Sequence, residues 1–248
     1  MLGSHNRSWI WGRHAVLETL RAGRWRPVEL LVSPRCTAEL GTEVRRHADG
    51  QNVPLQETSD AMLSRRCRAE DHQGLAALMP PFPYAPFEQL LSRRPPVTAW
   101  LILDRVQDSF NFGAIVRSAH ALGIDAVLTG EKEQSEVNSQ VVRSSAGAVN
   151  FLPIVRVVKL TEALATLRRQ GIQTVAATEK AMQAIDRVNL RDPVAVVIGN
   201  EGGGIREEIL QLCSTHARVP MSGRVGSLNA AVAAGICCYE IVRQRRKP

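Results

Sequence analysis

Hydrophobic positions along the chain follow two rhythms. Short apolar runs, bounded by Gly, Pro, Asn or Asp, predict strands, and stretches with an apolar residue every three or four positions predict amphipathic helices. Early in the chain, residues 9–11, 28–32, 53–55 and 74–79 read as strands, and 12–20, 37–48 and 59–66 as helices. In the first helix Ala15, Val16 and Leu20 share one face. This part predicts a minimal α/β/α sandwich. Farther on, strand-like runs at 100–103, 126–129, 153–157, 174–177, 194–198 and 217–220 alternate with helical patterns. The last helix is predicted to start near Ser227, with that serine as its cap. Such alternation predicts a parallel sheet covered on both faces. Ligands of such sheets bind beyond the carboxyl ends of the strands, so chemistry is sought there.

Proline marks the joint between the two parts. Six of the 13 prolines lie in residues 80–96, with room for one short helix at 87–92. A stretch this rich in proline is stiff and carries little core-forming periodicity. The predicted division is residues 1–79, a linker at 80–96, and residues 97–248.

Composition adds exclusions. The 248 residues are 44% hydrophobic and 22% charged, ordinary values that exclude disordered and low-complexity classes. Formal net charge is +7, and 27 of the 31 basic residues are arginine. Arginine's planar fork suits phosphate, although GC-rich coding explains such an excess equally well. Clusters at Arg21, Arg24 and Arg26, at Arg45 and Arg46, and at Arg65, Arg66 and Arg68 fit either solvated helix faces or an RNA groove. The five cysteines are odd in number and contain no C-x-x-C pair, which fits buried free thiols in a reducing cytoplasm. No run reaches the length of a membrane span, and no signal-peptide core is evident at the start.

Three motifs follow three predicted strands. Asp104 ends the first, and Asn111, Gly113 and Arg117 are expected to open a helix. An arginine at a helix start would oppose the macrodipole, which a purely structural design avoids; helix cap and surface charge remain the bland alternatives. The second motif, Val196 to Ile205, runs a buried strand into Gly199, Asn200, Glu201 and three glycines. It is neither a P-loop nor G-x-G-x-x-G, and a tight turn alone would account for it. The third bends through Pro220, Gly223 and Gly226 to Ser227, Leu228 and Asn229, and enters a helix of small residues from Ala230 to Gly235.

Together the three motifs, N-x-G-A-x-x-R, G-N-E-G-x-G and P-M-x-G-x-x-x-S-L-N, resemble those of the SpoU (TrmH-like) RNA 2′-O-ribose methyltransferases of the SPOUT superfamily. Residues 12–18 (GRHAVLE), 72–74 (HQG) and 144–148 (SSAGA) are similar to RlmB-type rRNA guanosine-2′-O-methyltransferases. The resemblance implies a small RNA-binding domain of the ribosomal L30e-like type before a SPOUT domain with a trefoil knot. It implies S-adenosylmethionine as methyl donor, ribosomal RNA as substrate with a large-subunit (23S) guanosine as target, a cytoplasmic homodimer, and no metal. Asn111, Arg117, Glu201, Ser227 and Asn229 match the catalytic set, with Arg117 central. Ala177, Gly199, Gly202, Val219, Met221 and Leu228 match cofactor positions. Arg13, Arg21, Arg24, Arg26, Arg45 and Arg65 become candidates for gripping RNA. A guanidinium holds its proton tightly, so a clamp on phosphate and developing alkoxide fits Arg117 as well as a base does. Ser109 and Ala230–Ala231 depart from the usual residues without touching the five chemical positions. Competing readings are a transfer-RNA or antibiotic-resistance rRNA methyltransferase, and a non-catalytic RNA-binding or ribosome-assembly protein of the same fold.

Overall fold

A computed structural model describes residues 9–246, which divide by their contacts into two compact units. The smaller takes the described residues up to Pro83 together with Val137–Phe151, and the larger takes the rest.

The small unit contains β1 (Trp9–Trp11), α1 (Arg13–Ala22), β2 (Glu29–Val32), α2 (Ala38–Gln51), β3 (Leu55–Glu57), α3 (Asp60–Cys67) and β4 (Leu75–Leu78). Its sheet has the order β1-β4-β2-β3, with β2 and β3 parallel and the other pairs antiparallel. Strand β3 starts two residues later than predicted. Asn52 closes α2 in the left-handed region and the Val53 amide still bonds back to Ala48, so the chain is free to pair only afterwards. Thr37 and Ser59 cap α2 and α3 by accepting from backbone amides three residues on. The segment around Val137–Phe151, with its helix Ser139–Ser144, is tied to this unit by polar contacts. Arg143 pairs with Asp71, and buried Asn150 donates to Thr19 at 3.0 Å. The Trp11 indole N–H, reinforced by the Arg143 charge, holds the Asp71 carboxyl below its ordinary pKa.

The larger unit carries α4 (Phe87–Ser92), β5 (Ala99–Asp104), α5 (Ser109–Ala121) and β6 (Ala126–Gly130). After α6, the helix Ser139–Ser144, come β7 (Ile154–Val157), α7 (Leu160–Arg169), β8 (Gln173–Ala177) and β9 (Val194–Gly199). The chain then runs through α8 (Glu207–Leu210) and β10 (Thr215–Ala217) to α9 (Ala230–Arg245). All six strands are parallel, in the order β10-β8-β9-β5-β6-β7. Every residue of β5 is buried, as expected for a central strand covered on both faces. One face packs Trp100, Ile102, Leu128, Ala195 and Val197 against α4, α7 and α8. Helix α5 packs on β6 and α9 on β9, and α5 and α9 pack tightly on each other. The small residues of α9 allow that approach, with Gly235 facing Ser118.

Two further boundaries differ from expectation in the larger unit. Strand β10 ends at Ala217 opposite Ala177, because Arg218 then pairs with the loop at Gln183 and Ile185 instead. Helix α9 begins at Ala230, and its cap is Asn229 rather than Ser227. The Asn229 Oδ1 accepts from the amides of Ala231 and Val232 at 2.9 and 3.3 Å.

Candidate functional site

Strands β5 and β9 lie side by side with Asp104 opposite Gly199, so the first two motifs leave the sheet at the same level. The chain then fastens them together. Asp104, fully buried, accepts from the Arg206 backbone amide and from its Nε, each at 2.8 Å. Burial opposes the Arg206 charge, but the hydrogen bond and charge of Asp104, helped by Glu208 and Glu133, outweigh it and raise its pKa. Asn200 is the second fastening. Its Oδ1 accepts from the amides of Gly202 and Gly203, and its Nδ2 donates to the Arg105 carbonyl at 2.8 Å. Asn200 and Gly204 also exchange backbone hydrogen bonds, closing the loop on itself. Glycine is required at Gly199, where a Cβ would stand 2.4 Å from the Gly204 carbonyl carbon.

This loop forms one wall of a cleft of about 270 Å³. The other walls come from the segment after β8 and from the third motif. Every expected cofactor residue (Ala177, Gly199, Gly202, Val219, Met221 and Leu228) lines it, as do Glu201 and Ser227. Met221 and Leu228 leave apolar surface open there, at 39% and 38% exposure. Asn111 and Asn229 are not lining residues but join the rim through hydrogen bonds. Asn111 Nδ2 donates to Glu201 Oε1 at 2.5 Å, and Asn229 Nδ2 donates to Asn111 Oδ1 at 3.0 Å. One member of each motif therefore enters a single chain of contacts.

Arg117 stands apart. Six residues of helix separate it from Asn111, which puts the two about 120° apart around the axis. It lies exposed in the later half of α5 and makes no hydrogen bond or ion pair among the described residues. The expectation that it sits at a helix start, against the macrodipole, is therefore corrected: Asp108 caps α5 and Arg117 is the ninth residue of the helix.

The candidate RNA-contacting arginines divide by their partners. Arg21 is bound to Glu18 and Glu43, Arg45 to Glu57, and Arg26 donates to the Asn52 carbonyl. Among the described residues, Arg13, Arg24 and Arg65 have no side-chain partner of this kind, and burial lowers the pKa of Arg24. All five cysteines are free. Burial pushes the thiols of Cys67, Cys213 and Cys237 up to about 12. Among the described residues no acidic, His or Cys group is arranged to hold a metal, and no helix is long and apolar enough to cross a membrane. Sequence reading missed Arg206 as the partner of Asp104 and Asn200 as the hub of the loop. Asn200 adjoins Gly199 and Arg206 lies two residues past Gly204, so their place beside the motif glycines is the signal that could have drawn attention to them.

A parallel sheet whose strand ends gather three loops into one glycine-walled cleft defines an α/β protein built to hold a small organic ligand. The comparisons make this specific. The profile of the SpoU rRNA Methylase family matches residues 98–239, and that of RNA 2′-O ribose methyltransferase substrate binding matches residues 9–85. An uncharacterised tRNA/rRNA methyltransferase of Mycobacterium ulcerans is 37% identical over 96% of this chain and 77% of its own length. A Staphylococcus aureus protein named for the TrmH family of tRNA/rRNA methyltransferases is 35% identical over 95% of this chain and 96% of its own. The AdoMet-bound rRNA methyltransferase of Sinorhizobium meliloti superposes with a TM-score of 0.82 at 26% identity, covering 96% of this chain and 88% of that one. The chain belongs to the SpoU family of RNA methyltransferases.

Proposed function

We propose that the protein transfers a methyl group from S-adenosylmethionine to a ribose 2′-hydroxyl of RNA, with a guanosine of large-subunit (23S) ribosomal RNA as the target. The observation that carries this reading is the chain of contacts from Asn229 through Asn111 to Glu201 at the rim of the cleft. The cleft suits the donor chemically. Val219, Met221 and Leu228 offer apolar surface for a flat base, the backbone around Gly199 and Gly202 offers polar groups without side-chain bulk, and Glu201 brings negative charge toward a sulfonium. When bound, the donor supplies an electrophilic methyl on a cationic sulfur.

The residues then divide the work. A 2′-hydroxyl must shed its proton as it attacks, so its developing charge needs a counter-charge or a proton acceptor. Arg117, unpaired on α5, is free to take an RNA phosphate and steady the alkoxide; a guanidinium retains its proton at neutral pH and is suited to that role. Asn111 is fixed by Asn229 and in turn fixes Glu201, while Ser227 faces the cleft. The small domain (residues 1–79, ahead of a linker at 80–96 and the catalytic domain at 97–248) would grip the RNA, a division supported by the two profile matches. The trefoil knot belongs to the same proposal, supported by the convergence of the three loops on one cleft. So does a cytoplasmic homodimer, supported by the free thiols and by Phe110, Val232 and Tyr239, which α5 and α9 leave exposed.

The test uses labelled S-adenosylmethionine with unmodified ribosomal and transfer RNA transcripts, followed by mapping of the 2′-O-methyl. Transfer to ribosomal RNA, lost in Arg117→Ala with donor binding retained, is the expected result. Transfer to tRNA alone would move the substrate to the competing class. Failure to bind the donor would leave an RNA-binding protein.

A further inference from the structure

We infer that Arg105 is a second RNA-contacting arginine of the transfer site, taking a backbone phosphate of the strand that carries the target ribose. This assignment rests on the functional reading above. Three observations meet at this residue. It is a non-glycine residue in the left-handed region, with φ 63°, where a bulky side chain is strained. Its guanidinium makes no hydrogen bond or ion pair among the described residues, and its Nε is buried without an acceptor. Its position is central: its carbonyl accepts from Asn200, and its Nη2 lies 3.5 Å from where a Cβ on Gly203 would stand.

Three of the nearby acids are already committed. Asp104, the adjoining residue, is held by Arg206, as is Glu208, and Glu201 accepts from Asn111. Arg105 is thus a strained, partly desolvated cation with no ion-paired acid among the described residues, beside the loop that carries Glu201. Neither strain nor an unmatched buried donor stabilises the fold, and glycine would relieve both. A ligand anion repays them. Arg105 does not line the cleft, which favours an RNA phosphate over the carboxylate of the methyl donor. Most arginines of the larger unit are spent on partners, such as Arg156 on Glu136, Arg243 on Glu240 and Arg245 on backbone carbonyls. Among the described residues, those without such a partner include Arg105 and Arg117 in the first motif and Arg224 in the third.

The experiment compares the full chain with Arg105→Gln, Arg105→Lys and Arg105→Gly. Donor affinity is measured by calorimetry with S-adenosylmethionine alone. Steady-state transfer to unmodified large-subunit rRNA and tRNA transcripts is measured at several salt concentrations, alongside thermal melting. In Arg105→Gln and Arg105→Gly, KM for the accepted RNA should rise about tenfold and lose about one unit of salt slope. Arg105→Lys should retain most of the affinity. Donor affinity should stay the same, and Arg105→Gly should melt no lower than the parent. Unchanged KM for RNA, or a lower melting point that accounts for all lost activity, would overturn the assignment. Loss of donor affinity with KM for RNA unchanged would overturn it too, and give Arg105 to the donor carboxylate. If the parent protein itself transfers no methyl, the functional reading fails and takes this assignment with it. If the parent is active and only the variants behave as the parent does, Arg105 alone is misassigned.

Discussion

Asn229 does two jobs with one amide. Its Oδ1 caps α9 while its Nδ2 donates to Asn111, so substitutions can separate the roles. Asn229→Ser should keep a cap and hold stability within about 0.5 kcal/mol of the parent, yet lower single-turnover methyl transfer by an order of magnitude. Asn229→Ala should lose a further ~1 kcal/mol in urea melts. Full transfer by Asn229→Ser would show that the rim network is idle. The loop glycines offer a similar contrast. A Cβ at Gly199 meets backbone at 2.4 and 2.5 Å, whereas Gly204, at φ 64°, faces open space. Gly199→Ala should therefore cost at least tenfold in donor affinity, because backbone must move. Gly204→Ala carries only the strain of a left-handed alanine, about 1 kcal/mol. Comparable donor affinity in the two variants would contradict this account.

At the level of elements, α9 is held at both ends. Asn229 starts it, and near its end Glu240 accepts from Arg243 and Gln244. The Arg243 hydrogen bond, working against desolvation, holds the Glu240 carboxyl below its ordinary pKa. A carboxyl lower in the folded than in the unfolded state contributes its full stability above the unfolded value, and that contribution fades as pH falls through the folded one. The stability gap between the parent and Glu240→Gln should therefore be widest near neutrality. It should close as pH drops below about 4.3, the usual glutamate value. A gap independent of pH would mean that packing rather than charge holds this turn. Strand β5 and the glycine loop are joined through Asp104, whose carboxylate is fully buried. Asp104→Ala strands Arg206, but that side chain is one-third exposed, so water recovers part of its charge. The cost should fall near the low end of the range for broken buried pairs, about 3 kcal/mol, read in urea melts.

For the whole molecule, net charge alone says little about which face meets RNA. Of the arginines expected to grip it, Arg21 is neutralised by two glutamates, while Arg65 has no ion pair among the described residues. RNA affinity should fall steeply with salt. Arg65→Gln should weaken binding and flatten that dependence, whereas Arg21→Gln should leave both nearly unchanged. Equal effects of the two, measured by RNA titration at two salt concentrations, would remove ion pairing as the sorting principle.

The sequence by itself determined the order and type of the main elements, the parallel sheet and the three motif loops, while the residues that line the cleft were implied by the motifs' resemblance to a known family. Those signals are local: hydrophobic period, glycine and proline punctuation, and a motif's spacing all lie within a few turns of chain. Val53 and Ser227 were misplaced because capping is decided by which side chain reaches the free amides, and the residue pattern allows more than one answer. Only the tertiary structure decided the rest. Asp104 binds Arg206 from 102 residues away, and Asn229 meets Asn111 across 118. An arginine's chemistry depends on whether a carboxylate lies within reach in space, which neither composition nor spacing records. For that reason Arg21 is spent on its neighbours, while Arg105 and Arg117 remain free for a partner.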